Sequence, residues 1–171
     1  MAPGDGWVRC ESGHRHWGLH GAAGLLLRHL DSDGTSWLLM QHRASWSHHG
    51  DTWGLLGGAR APGETAEQAA EREAIEEAGL PAEAYTVTEQ FVDDHGGWSY
   101  VTVFARAPAL VPITEWSHES AEVAWIPESG MAALPLHPGF AATWPLVREA
   151  EGCATRRPGG DAMRPSTEDR S

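Results

Sequence analysis

Lysine is absent from the 171 residues, and all twelve basic side chains are Arg. That absence excludes a Lys Schiff base, a Lys nucleophile and a Walker-type phosphate loop, whose Lys reaches the phosphates. Cysteine is scarce: Cys10 and Cys153 lie near opposite ends, in stretches without apolar period. They form neither a metal-ligand spacing nor a disulfide framework, which points to a reducing compartment. The longest apolar-or-small run, residues 21–27, falls far short of the ~18 residues of a membrane span. The first residues lack a basic region followed by an apolar stretch and a cleavage site. A cytoplasmic protein with no membrane partner is expected. There is no internal repeat.

Basic residues are also outnumbered, 12 against 24 acidic, for a formal charge of −12. Such a chain is poorly suited to holding a nucleic-acid polymer by neutralising many phosphates. It suits a protein that concentrates divalent cations, or simply one with a solvated acidic surface. The length and a hydrophobic fraction of 41% allow one domain with a real core and loose ends.

Residues 1–18 mix Gly, His and charges without a period and read as a flexible arm. Strands are expected at 22–30 and 36–42, joined by the turn residues Asp31-Ser32-Asp33-Gly34. A His-rich polar segment, 43–51, leads into a short apolar stretch at 52–56. The period then changes. Ala66, Ala69, Ala70, Ala74 and Ile75 mark a helix over 65–78, with Thr65 and Gln68 forming a capping box and Gly79 ending it. Strands at 85–93, 98–105 and 122–126 follow, then a helix at 137–149. From about residue 151 onward polar residues, Pro and Gly dominate, and a disordered tail is expected. The domain proper is thus 19–150.

Within the 65–78 helix, Glu73, Glu76 and Glu77 stand at i, i+3 and i+4, on one face. Like charges so placed repel by a few tenths of a kcal/mol per pair. A solvated face tolerates that; a hard divalent cation such as Mg²⁺ or Mn²⁺ offsets it. Two neighbours favour the cation. A Gly-rich turn, Gly57-Gly58 to Gly63, feeds the helix N-terminus, where free N–H groups favour anions. Arg72 stands beside Glu73, where a guanidinium can hold carboxylates in register.

From Gly58 onward the chain resembles the Nudix box. Gly58, Glu64, Arg72, Glu73, Glu76, Glu77 and Gly79 fall in register over residues 58–80, with Ala74 and Leu80 at aliphatic positions. Ala74 is the smallest residue that position takes, and Leu56 stands where many relatives have Pro. The likeness extends over about 20–150, through Arg43-Ala44 before the box and Glu119 and Trp125 after it. It implies an α/β fold, an α/β/α sandwich around a mixed curved sheet, with one helix carrying the box.

The resemblance further implies metal-dependent hydrolysis of a nucleoside diphosphate linked to some group X. Glu73, Glu76 and Glu77 would be Mg²⁺ or Mn²⁺ ligands, with the Gly57 carbonyl and Glu119 as further ones. Arg72 would orient the carboxylates, and Glu119 would help activate water, a task for which Glu122, Asp93 and Asp94 are alternatives. Arg43, His48 and Gly58 would face substrate, while Glu64 and Gly79 would support the loop and helix end. A mutator-like nucleoside triphosphate pyrophosphohydrolase, acting on an ordinary or oxidised nucleotide, is expected first. An ADP-ribose or nucleotide-sugar pyrophosphatase is the rival, lowered because Gly96 stands where such relatives carry Pro. A coenzyme A type is only partly echoed by residues 38–44, and Tyr100 lies slightly late for a diadenosine polyphosphate hydrolase. A non-catalytic nucleotide sensor is disfavoured because every box glutamate is present. Homodimers are common among such relatives, although no stretch here announces an interface. The loop histidines His42, His48 and His49 and the spaced His14, His16 and His20 are not read as a metal cluster, ordinary hydrogen bonding being the default, with His48 kept as a substrate contact. Core packing is the default for Trp53, Trp98 and Trp125, and which Trp stacks on a base stays open.

Overall fold

The computed structural model describes residues 2–154. A hairpin of β1 (Trp7–Arg9) and β2 (Arg15–Trp17) precedes the main sheet. That sheet holds β3 (Ala22–Leu30), β4 (Ser36–Arg43), β5 (Trp53–Gly54), β6 (Leu56–Ala59), β7 (Thr86–Asp94), β8 (Ser99–Arg106) and β9 (Ser120–Pro127). Helix α1 (Ala66–Ala78) follows β6, and α2 (Pro138–Ala154) closes the described chain.

Strand β3 is apolar almost throughout because it is covered on both faces. Its alternation sorts the core into two layers. Ala23, Leu25 and Leu27 pack with Leu39, Val103 and the small residues Ala66, Ala69, Ala70, Ala74 and Ala78 of α1. Leu26, Leu38, Met40 and Phe104 face the other way, against Phe140, Trp144 and Val147 of α2. The alanine face lets α1 sit close to the sheet. An α/β/α sandwich results.

The sheet is mixed: β3 and β8 run parallel from Ala22↔Tyr100 to Arg28↔Arg106, and the other pairs are antiparallel. On its opposite edge β3 pairs with two strands in turn. Its first residues, Ala22 to Leu25, pair with β6, and its last, Arg28 to Leu30, pair with β4. The sheet therefore splits where β4 leaves β3, and β4 continues beside β5 and β9.

Several expectations need adjustment. Residues 7–17, expected to be part of a loose arm, form the β1–β2 hairpin. Its strands are not core elements. Cross-strand Trp7 and Trp17 meet edge to face at 5.4 Å, and the backbone bond from Glu11 N–H to the Gly96 carbonyl, 2.9 Å, fastens the hairpin to the β7–β8 turn. The apolar stretch at 52–56 divides into β5 and β6. Helix α2 opens at Pro138, where a missing N–H is harmless, and runs to Ala154, so residues 151–154 are helical rather than tail. The remainder of the expected tail, 155–171, lies outside the described residues.

Candidate active site

Local signals set α1 in place. The Thr65 hydroxyl accepts from the Gln68 N–H at 3.1 Å, and the Gln68 side chain accepts from the Thr65 N–H at 2.9 Å. At the other end Gly79 adopts φ 60°, a left-handed conformation that glycine takes without strain, and its N–H returns to the Ile75 carbonyl. Between these caps the three expected glutamates share a face but not an environment.

Glu77 is 5% exposed and lies at the split in the sheet. One carboxylate oxygen accepts from Gln41 Nε2 of β4 at 2.9 Å, the other from the Gly57 N–H of β6 at 2.9 Å. It thus joins the two strands that part company around it. Burial, with the Glu73 charge adding to it, pushes its carboxyl up to about 8. Glu73 is raised as well, chiefly by burial; Arg72 opposes the rise, and the charges of Glu76 and Glu119 add to it. Its carboxylate occupies the space a Cβ on Gly58 would fill, which is why that position carries no side chain. The Glu76 side chain is 59% exposed and open to solvent.

Arg72 gathers the set. Its Nε and Nη2 fork onto Glu64 at 2.8 and 3.0 Å, Nη1 reaches Glu73 at 2.7 Å and Glu76 at 3.4 Å, and Nη2 also donates to the Ala59 carbonyl at 3.0 Å. These bonds, led by that to Glu64, raise the guanidinium further above its ordinary range. Glu64 is lowered, first by the Arg72 bond, and it accepts from the Ala61 N–H at 2.8 Å, closing the loop ahead of α1.

Around this stripe stand the more distant candidates. Arg43 ends β4 at an irregularity in the β4–β9 register between His42 and Arg43, and its charge counters the rise at Glu77. Irregularities of this kind re-aim side chains beside functional sites. Arg43 Nε donates to the His48 carbonyl at 3.0 Å, in a loop where His49 and Asp51 are the non-glycine residues with positive φ among those described. His48 packs against His49 and Trp7. Burial lowers His137 to about 4, with the charges of His49, Arg43 and His48 adding. The Glu119 carbonyl accepts from the Ala44 N–H at 2.9 Å, and its exposed carboxylate is felt at Glu73. The structure thus brings Arg43 and Glu119 into electrostatic reach of the stripe, and His48 next to Arg43. The alternatives Asp93 and Asp94 end β7, and Glu122 pairs in β9 opposite His42.

Two residues escaped the sequence reading. Gln41 is fully buried and donates to both Glu77 and the Ser120 hydroxyl, 2.8 Å. Its signal was present: a polar residue two positions beyond core Leu39, on the strand face that looks toward α1. Tyr100, set aside as displaced, has its hydroxyl against Gly24, where a Cβ would collide with it. Burial raises that phenol, and the charges of Glu77 and Glu73 add to the rise, so it remains protonated.

The donor set suits a hard divalent cation. It offers carboxylate oxygens on one helix face beside a glycine strand that leaves room for them. A dication beside Glu73 and Glu77 would reverse both upward shifts. No helix among the described residues is long and apolar enough to cross a membrane.

Comparison with known proteins agrees with this architecture. Residues 18–148 match the NUDIX domain. The chain is 53% identical over 153 residues to "Putative 8-oxo-dGTP diphosphatase 3" of Mycobacterium tuberculosis, covering 86% of this chain and 70% of that protein. It is 42% identical over 147 residues to a nucleoside triphosphate pyrophosphatase/Nudix hydrolase fusion protein of Bifidobacterium longum, covering 84% of this chain and 30% of that one. Among solved structures, the Nudix hydrolase RenU of M. smegmatis superimposes with a TM-score of 0.81 at 50% identity, covering 92% of this chain and 100% of that one.

Proposed function

The chain belongs to the Nudix family and is a nucleotide pyrophosphohydrolase, and from that premise we propose that it cleaves an oxidised purine nucleoside triphosphate to the monophosphate and pyrophosphate, using Mg²⁺ or Mn²⁺. The observation that carries the reading is the pair of raised carboxylates, Glu73 and Glu77, gathered on α1 against the glycines of β6. The substrate class draws support from the named activity of the M. tuberculosis relative, which shares 53% of aligned residues.

Glu73, Glu76 and Glu77 hold the ion, with the Gly57 carbonyl as a further oxygen. When bound, the ion neutralises charge on the pyrophosphate and lowers the pKa of water. Arg72, fixed by Glu64, keeps Glu73 turned toward the site. Gln41 and the Gly57 N–H hold Glu77 by both oxygens, so it enters the reaction already oriented. The Glu119 carboxylate takes the proton from the attacking water. Arg43 presents a planar guanidinium to a substrate phosphate, and Gly58 leaves room for the Glu73 carboxylate beside the substrate. His48 lines the approach, and Gly79 ends the helix. Trp46, 65% exposed and stacked on His118 next to Glu119, offers a face for the base.

The test is product analysis over a panel of ordinary and oxidised nucleoside triphosphates, ADP-ribose and nucleotide sugars with Mg²⁺ or Mn²⁺. The expected result is monophosphate and pyrophosphate, with the highest kcat/KM for an oxidised purine. Preferential cleavage of ADP-ribose, or binding without product, overturns the assignment.

A further inference from the structure

Far from the glutamate stripe in sequence, the structure gathers a second set of donors. Cys10 follows β1 and is buried, His16 lies in β2, and His95 sits in the turn between β7 and β8. One ligand atom from each lies within 4.8 Å of the others. We propose that Cys10, His16 and His95 form a site for a transition-metal dication of borderline softness, such as Zn²⁺, which pins the N-terminal hairpin to the β7–β8 turn.

The site is built from both sides. Cys10 N–H donates to the His14 carbonyl at 3.0 Å, and the Gly13 N–H returns to the Cys10 carbonyl at 2.8 Å, so the hairpin loop holds the thiol in a fixed place. The next residue, Glu11, donates its N–H to the Gly96 carbonyl at 2.9 Å, which brings the turn against the loop. Gly96 has φ 73°, and a Cβ there would meet the Glu11 side chain. The two imidazoles are fixed by packing. The His16 ring stacks on Trp98 at 4.1 Å and 10°, His95 meets Trp98 edge-on, and the Trp98 indole N–H donates to the Gly18 carbonyl at 3.0 Å.

The polar atoms point to a ligand. His16 Nε2 is buried and has no hydrogen-bond partner among the described residues. A buried polar atom left unpaired costs about 1–3 kcal/mol, so its isolation calls for an occupant. His95 Nε2 lies 3.0 Å from Asp93 Oδ2. That engagement leaves Nδ1 as its other donor atom and reproduces the carboxylate–imidazole pairing that orients metal-bound histidines.

The donors also select the ion. One thiolate and two imidazoles suit Zn²⁺ rather than Mg²⁺, whereas the carboxylate stripe on α1 has the opposite preference. Ligand atoms around a tetrahedral ion stand about 3.5 Å apart, given bonds of about 2.0–2.3 Å, a spacing compatible with donor atoms that lie within 4.8 Å of one another. Binding releases the Cys10 proton to solvent, and water fills the fourth position.

Co²⁺ is the probe, because only a thiolate ligand gives it an intense sulfur-to-metal charge-transfer band. The full chain, stripped with a chelator, is titrated with Co²⁺. The expected result is a band that saturates at one ion per chain, persists in excess Mg²⁺ and is displaced by Zn²⁺. Cys10→Ser and His95→Asn lose it, whereas Cys153→Ser keeps it. The His95 substitution lies in a surface turn, so it remains informative if Cys10→Ser fails to fold. Absence of the band in the parent chain, its survival in Cys10→Ser, or its loss in Cys153→Ser overturns the proposal.

Discussion

Gln41 shows how much a single buried amide can carry. It touches no ion and no substrate, yet it fixes one oxygen of Glu77 while the Gly57 N–H fixes the other. Outer partners of metal ligands commonly contribute 10–100-fold in metal affinity. Gln41→Leu should therefore raise the Mg²⁺ concentration for half-maximal activity by about 10–100-fold, while kcat at saturating Mg²⁺ changes far less. Equal losses in both would instead mark a collapsed site. Glu77 also makes a pH prediction. Its folded carboxyl is raised from 4.5 to about 8, so folding favours the protonated form. Its stabilising contribution is complete below about pH 4.5 and is lost as pH rises through about 8. Glu73 is raised and acts in the same sense; Glu64 is lowered, so its contribution fades only below its ordinary range. The melting temperature of metal-free protein should fall across that window, and Glu77→Gln should flatten the decline. The three glutamates were legible because helical spacing alone puts them on one face. The face that Gln41 occupies was readable from strand alternation, but its role was not, because holding Glu77 depends on β4 leaving β3, a tertiary event that no local pattern records.

Helix α1 was readable almost to the residue, since its start, its end and its buried face are all local chemistry: Thr65 with Gln68, Gly79, and a row of alanines. Strand β3 was equally plain as an apolar run. The β1–β2 hairpin was not, because Trp7, Trp17 and the backbone bond from Glu11 to Gly96 hold it instead of an alternating apolar face. The C-terminal helix was visible from its apolar residues, but its anchor was hidden. Arg28, at the polar end of β3, forks onto Glu151 of α2 through Nε at 2.9 Å and also pairs with Glu128, which Arg148 approaches at 3.1 Å. Removing one partner of a buried pair costs about 3–5 kcal/mol because the other charge is left stranded. Arg28→Ala should lower stability by about 3 kcal/mol, read by denaturant unfolding, and should loosen α2 before the sheet. An effect below about 0.5 kcal/mol, the range of exposed pairs, would show the network to be solvent-screened.

At the scale of the whole molecule, the sandwich places its chemistry where the sheet parts. Strand β3 gives one edge first to β6 and then to β4, and the carboxylate of Glu77 fills the gap between them. The layer order was implied by the resemblance that the box carries, and the strand-and-helix pattern was compatible with it; the split, and with it the reason Glu77 is buried while Glu76 is not, required the register. The most direct test of the account is Mn²⁺ binding followed by electron paramagnetic resonance beside turnover, in the parent chain, Glu76→Gln and Glu77→Gln. Glu76 is exposed, so its substitution leaves the fold undisturbed. Both variants should weaken Mn²⁺ binding and lower kcat/KM by more than about 100-fold, beyond the loss expected of an outer partner. Unchanged Mn²⁺ affinity with full turnover in Glu76→Gln and Glu77→Gln would contradict it.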